Sequence, residues 1–179
     1  MQQARPRSRW HFLRRFAREQ RGVAAVEFAF VGLPFLFLLF GTVEASLLFF
    51  AQQTLDNAVI DTGRLIRTGQ AQSQGFNEQQ FRQEVCERVS MFLNCDARLQ
   101  IDVRTFANFG GVNGPSPVDG NGDWNSQFQY DPGGPGDIVL VRVFYKWDVI
   151  TAMLVQALQN LPNGEHMLTS AAAFRNEPF

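Results

Sequence analysis

The chain has 179 residues and a formal net charge of −1, enough for one membrane segment and one modest domain. The near-neutral total hides a division. Residues 1–22 hold seven arginines against Glu19, a net of +6, and the remainder carries 9 basic against 16 acidic residues, a net of −7. A basic head beside an apolar run sets membrane topology, with the arginines cytoplasmic and the acidic remainder outside, and this argues against nucleic-acid binding.

Residues 1–9 are polar. Trp10 to Arg21 suits a short basic helix in the inner headgroup layer, with Trp10, Phe12, Leu13 and Phe16 against Arg14, Arg15 and Arg18. A stop signal that never folds is the alternative. Val23 to Phe50 is almost wholly apolar, with just two acids inside, Glu27 and Glu44, and exceeds the ~20 residues a span needs. It is too long for the apolar region of a signal peptide, and Phe49-Phe50 is a poor exit for signal peptidase. Pro34 removes one backbone donor and predicts a kink.

The helical spacing runs on. Leu55, Ala58, Val59, Thr62, Leu65 and Ile66 alternate with Gln52, Gln53, Asp56, Asn57, Asp61 and Arg64, and Gly69 is a natural end. This predicts one helix from Val23 to Thr68, ~70 Å long at 1.5 Å per residue. Gln70 to Gly75 reads as a loop. Asn77 and Gln80 form a capping pair for a helix bearing Phe81, Val85, Val89 and Phe92 and ending near Asn94.

Leu99, Ile101, Val103 and Thr105 alternate with polar residues as a half-buried strand. Residues 107–136 are rich in Gly, Pro, Asn and Asp and read as a 30-residue loop. Ile138 to Trp147 is the strongest strand, with Val139, Val141, Val143, Tyr145 and Trp147 on one face. Asp148 is expected to cap a helix running to Leu161. Pro162-Asn163-Gly164 is a turn, and Leu168 to Phe174 alternates as a last strand. The fold class is therefore α+β: a long N-terminal membrane helix, then a small outer domain of three antiparallel strands and two further helices. The divisions are 1–22 for the cytoplasmic leader, 23–50 for the span, 51–69 for its continuation and 70–179 for the outer domain.

Candidate sites begin at the bond between Gly22 and Val23. A peptidase at the inner membrane face needs an extended, uncrowded bond, which glycine permits. Cleavage there would free an amine on Val23, with Glu27 about one turn away. An amine and a carboxylate near lipid are costly apart and much less so together, so Glu27 has a pairing role in an array of subunits. The alternative is a glutamate that snorkels to the inner headgroups. Glu44 lies ~25 Å further along the helix, near the outer edge of a ~30 Å core. It reaches outer headgroups, meets a partner helix in a buried contact, or belongs to a proton path. Cys86 and Cys95, both outside, are a disulfide pair or two small buried thiols.

Asp119, Asn121 and Asp123 alternate as in a calcium loop, but Trp124 stands where the turn glycine belongs and Tyr130 at the twelfth position. A solvated turn is the plainer reading, and no other metal site is expected. Trp124, Phe128 and Tyr130 form a partner-binding patch or fold back on the core. The histidines are His11 and His166, and no nucleophile elbow, zinc-protease, CxxC or P-loop pattern occurs. No catalytic residue and no cofactor are expected.

The run Gly22-Val23-Ala24-Ala25-Val26-Glu27-Phe28-Ala29, with Pro34, then Asp61-Thr62-Gly63-Arg64 and a closing Gly69, resembles the TadE-like pseudopilins of tight-adherence (Flp, type IVc) pilus systems. The ending Phe174-Arg175-Asn176-Glu177-Pro178-Phe179 is similar to that of many members. The likeness covers about residues 18–69; residues 70–165 carry no matching motif. It implies a minor pilin-like protein of the bacterial inner membrane, cut after Gly22 by a prepilin peptidase, with Val23 as mature first residue. Glu27 would be the acid that peptidase and assembly machinery recognise. Implied partners are that peptidase, other pilin-like subunits, inner-membrane assembly proteins and lipid. The rival is an uncleaved single-pass protein whose periplasmic domain binds a ligand or surface.

Overall fold

A computed structural model describes residues 20–151 and 154–179. The head before Gln20, with His11 and nearly all of the expected Trp10–Arg21 helix, lies outside the described residues. The elements in chain order are α1 (Gln20–Arg67), α2 (Gln70–Ser73), α3 (Glu78–Val89), β1 (Leu99–Phe106), a 3-10 turn (Phe109–Gly111), β2 (Ile138–Asp148), α4 (Val155–Leu158) and β3 (Glu165–Arg175). The chain divides into two units, the first ending at Thr42 and the second running Val43–Phe179.

In the first unit, α1 is apolar on every side and carries Pro34 in its interior. Phe28, Phe30, Leu33, Phe35 and Leu38 are all exposed, and nothing in its most apolar window is buried. The helix is long and apolar enough to cross a membrane. An apolar surface all round suits lipid, which also tolerates an internal proline.

The second unit has its own core, and α1 supplies one stripe of it: Leu48, Ala51, Leu55, Ala58, Val59, Thr62 and Ile66 are buried at steps of three and four. Burial begins at Glu44 and Leu48, inside the stretch read from sequence as span. The three strands pair antiparallel in the order β1-β2-β3, with Val103 opposite Val141 and Val141 opposite Ala172. One sheet face carries Ile101, Val103, Val139, Val141, Val143 and Leu168, packed with the α1 stripe and with Phe81, Val85 and Val89 of α3. Each such side chain is worth about 1.5–3 kcal/mol on burial. The N-terminus of α3 is held by the reciprocal pair: Gln80 N donates to Asn77 Oδ1 and Asn77 N donates to Gln80 Oε1, both at 2.9 Å.

The end of α1 is closed by the chain's own C-terminus. Gly69 has φ 76°, a left-handed conformation that terminates the helix. A Cβ there would overlap the Phe179 ring. Glu177 N donates to Arg67 O at 2.8 Å and Arg67 pairs with the Glu177 carboxylate at 2.9 Å.

Three expectations are corrected. The loop read at 70–75 contains the helical turn α2. The helix expected from Asp148 to Leu161 is reduced, among the described residues, to Val155–Leu158, and Asp148 caps nothing. Pairing along the whole of β2, ending with Asp148 opposite Glu165, draws Asp148 into the sheet. The next free donors, Ile150 N and Thr151 N, go to the Glu44 carboxylate instead of opening a helix. The long loop 107–136 is organised: Tyr130 bridges to Val103 and Val118 to Trp124, so one strip of it lines the outer edge of β1.

Candidate functional site

The helix start is the first candidate. Gly22 is already inside α1, so the Gly22–Val23 bond is helical rather than extended. Nothing lies within 4 Å of a Cβ built on Gly22, and Val23 is 54% exposed, so the bond is open on its side-chain face. Glycine in a helix costs up to ~1 kcal/mol relative to alanine, which makes this turn easy to unwind. Glu27 is exposed, about 6 Å along the axis from Val23.

Glu44 answers differently from any of the three sequence readings. It is 3% exposed and engaged within its own chain. One carboxylate oxygen accepts from Ile150 N at 2.5 Å and the other from Thr151 N at 2.9 Å. The acid thus works as a tether between α1 and the segment after β2. Two N–H donors on a carboxylate are charge-assisted bonds, which compensate much of its burial.

Cys86 and Cys95 are bonded as a disulfide, with Cα atoms 5.8 Å apart. The bridge ties the third turn of α3 to the approach to β1. Arg82 supports it by donating to the carbonyls of Cys95, at 2.7 Å, and Asp96.

The second sheet face holds an ion cluster that sequence reading missed. Asp102 has no exposed surface. It accepts from Arg104 Nε at 2.9 Å, from Arg142 Nη2 at 2.5 Å and from Gln129 N at 3.0 Å. Burial would push its carboxyl up, but the two guanidiniums and the backbone donor outweigh that and hold it below the usual carboxylate value. Arg142 also donates to Pro115 O and Arg104 to Gln127 O. The cluster therefore clamps both limbs of the long loop onto the sheet. The signal was present as Asp102 and Arg104 two apart on one strand, but alternation alone assigned that face to water.

The loop aromatics fold back on the unit. Trp124, Phe128 and Phe144 form a chain of ring contacts at 6.1 and 6.0 Å, joined by Leu161 and Met167 in a second small core. Tyr130 packs on Phe81 at 5.5 Å, and burial pushes its hydroxyl up to about 12. Trp124 Nε1 donates to Ala97 O.

The calcium-like triplet is used for a turn. Asp119 Oδ1 accepts from Asn121 N and Asp123 N, each at 2.9 Å. Lys146 Nζ donates to Gly122 O at 2.6 Å and lies 4.5 Å over the Trp124 ring, which brings a cation to the loop's own carbonyl. No group of three His, Cys, Asp or Glu that could hold a metal is found among the described residues. His166 Nδ1 contacts Leu158 O. The candidate groups are thus scattered: Gly22, Val23 and Glu27 at the start of α1, Glu44 at its middle, and the cysteines and Asp119 elsewhere in the second unit.

Among the described residues one helix is long and apolar enough to cross a membrane, and it is continuous in sequence with an α+β unit. Residues 22–65, about a quarter of the chain, match the family described as TadE-like protein, and over that stretch the chain is similar to it. The match begins at Gly22 and includes Val23, Glu27 and Glu44; the sheet, the disulfide and the long loop lie beyond it. No match to a curated protein or to a solved structure is found.

Proposed function

We propose that the protein is a minor pilin-like subunit, anchored in the bacterial inner membrane, that takes part in assembling or building a tight-adherence pilus. The observation that carries this reading is the TadE-like match beginning at Gly22 on a helix whose apolar surface is left uncovered by the described residues. The coarser part is a pilus-associated membrane protein of the Tad type. The finer part is processing: a prepilin peptidase removes the arginine-rich leader after Gly22, and Val23 becomes the first residue. Its new amine then meets Glu27 of a neighbouring subunit as apolar helices bundle. The leader lies in the cytoplasm and the second unit in the periplasm, an orientation supported by the seven leader arginines and by a disulfide that suits an oxidising compartment.

N-terminal sequencing of the protein from native membranes tests the cut. A chain beginning at Val23 is expected; a chain that keeps its arginines beside an active prepilin peptidase sinks the processing step. Glu27→Ala is expected to impair assembly, and unchanged pili would remove the pairing role. The helical Gly22–Val23 bond favours the second reading, an uncleaved single-pass protein whose outer unit binds a ligand or surface. The same sequencing separates the two.

A further inference from the structure

The second unit carries an apolar rim at the end where α1 enters it. Two segments far apart in sequence contribute. The turn after α3 presents Met91, 83% exposed, and Phe92, whose ring meets Phe50 edge-on at 4.7 Å. The segment after β2 presents Ile150, 73% exposed. On α1 itself Leu47 and Phe50 are exposed on one face, while Glu44 is turned about 120° away from Phe50. The helix is therefore flanked on two sides by exposed apolar groups at its entry.

Both segments are fixed in place. The Cys86–Cys95 bridge closes the loop that holds Met91 and Phe92, and Leu93 beside them is buried. The Glu44 carboxylate holds Ile150 N and Thr151 N. The same contacts withdraw the acid at this level, leaving it 3% exposed. A cluster of large, exposed, anchored apolar side chains on a folded unit marks a contact surface.

Helix length identifies what that surface meets. From Gly22 to Glu44 the helix rises about 33 Å, against a hydrocarbon core of ~30 Å. With Gly22 at the inner edge, Glu44 reaches the outer edge. The axial step from Glu44 to Phe50 is then about 9 Å, comparable to the headgroup layer and to the 5–10 Å that interfacial apolar groups bury. We propose that Ile150, Met91, Phe92, Leu47 and Phe50 form a lipid-seating rim that beds the outer unit in the outer headgroup layer of its membrane, with Glu44 and the disulfide as positioning groups. The occupant is phospholipid, because the rim begins where the spanning helix leaves the hydrocarbon. This rests on reading the apolar part of α1 as a span.

The test uses the full chain in vesicles of phosphatidylethanolamine and phosphatidylglycerol, with p-benzoylphenylalanine placed singly at Phe35, Phe92, Ile150 or Ile60. Ile60 is 63% exposed but lies about 15 Å beyond Phe50 along the helix. Illumination followed by mass analysis distinguishes lipid adducts from chain–chain adducts. Lipid adducts several-fold more abundant at 92 and 150 than at 60 are expected. Adducts at 35 with none above the Ile60 level at 92 and 150 overturn the rim and leave the span standing. Chain–chain adducts alone at 92 and 150 also overturn it, in favour of a second copy. Absence of lipid adducts at 35 overturns the span and the rim together.

Discussion

Residues 22–42 and residues 43–67 belong to one helix but differ in composition, the first almost wholly apolar and the second mixed, and they are used in opposite ways. In the first stretch Phe28, Phe30, Phe35 and Phe40 point outward on different faces and none is buried. In the second, the buried positions are the smaller Leu48, Ala51, Leu55, Ala58 and Val59, and Gln53, Asn57, Asp61 and Arg64 face out. The first helix surface is matched to lipid or to other apolar helices, the second to a sheet at close approach. Helical propensity does not separate them; the distribution of apolar groups around the axis does.

That contrast can be broken or sharpened. The largest effect is expected at Leu55, which has no exposed surface. Leu55→Ala should lower the unfolding free energy of the second unit by about 3 kcal/mol, whereas Phe35→Ala should leave that transition unmoved. Urea melts of the full chain in detergent check both, and equal effects would erase the distinction.

Asp102→Asn follows, at about 3 kcal/mol, because two guanidiniums lose a buried counter-ion. The native carboxyl is held below its unfolded value, taken as 3.8. Its contribution is thus full above that pH and is lost as pH falls through the lower folded value. Thermal melts from neutral pH down through the carboxylate range should show this loss, blunted in the variant. Reducing the Cys86–Cys95 bridge, which spans a sequence separation of 9, should cost about 2–3 kcal/mol. A melt with and without reductant reads it. Smallest is Gly69→Ala, about 1–2 kcal/mol from the left-handed backbone alone. Adding a Phe179 deletion should relieve the ring overlap and leave the backbone part, as a double-mutant comparison will reveal.

Much of this architecture was legible beforehand. The long apolar helix followed from the apolar run, its continuation from the steps between Leu55 and Ile66, and the three strands from alternation. The α3 cap was readable because Asn77 and Gln80 are close in sequence. Asp102 was misread as solvent-facing because what buries it, Gln127 to Gln129 and Pro115, lies in a loop with no periodicity to assign. The helix expected after Asp148 is shortened at its start, where two distant partners engage the chain: Glu165, which pairs with Asp148 in the sheet, and Glu44, which accepts from Ile150 N and Thr151 N.

Local pattern therefore determined where the chain is apolar, which segments are helix or strand, and that an arginine-rich stretch precedes Gly22. Those properties depend on neighbours a few residues apart, whose spacing the sequence records directly. Tertiary structure alone decided the use of Glu44, the clamp around Asp102, the closure of Gly69 by Phe179 and the gathering of Met91, Phe92 and Ile150 at one end. Each joins residues tens to more than a hundred positions apart, and such pairings depend on which surfaces meet once the sheet has formed.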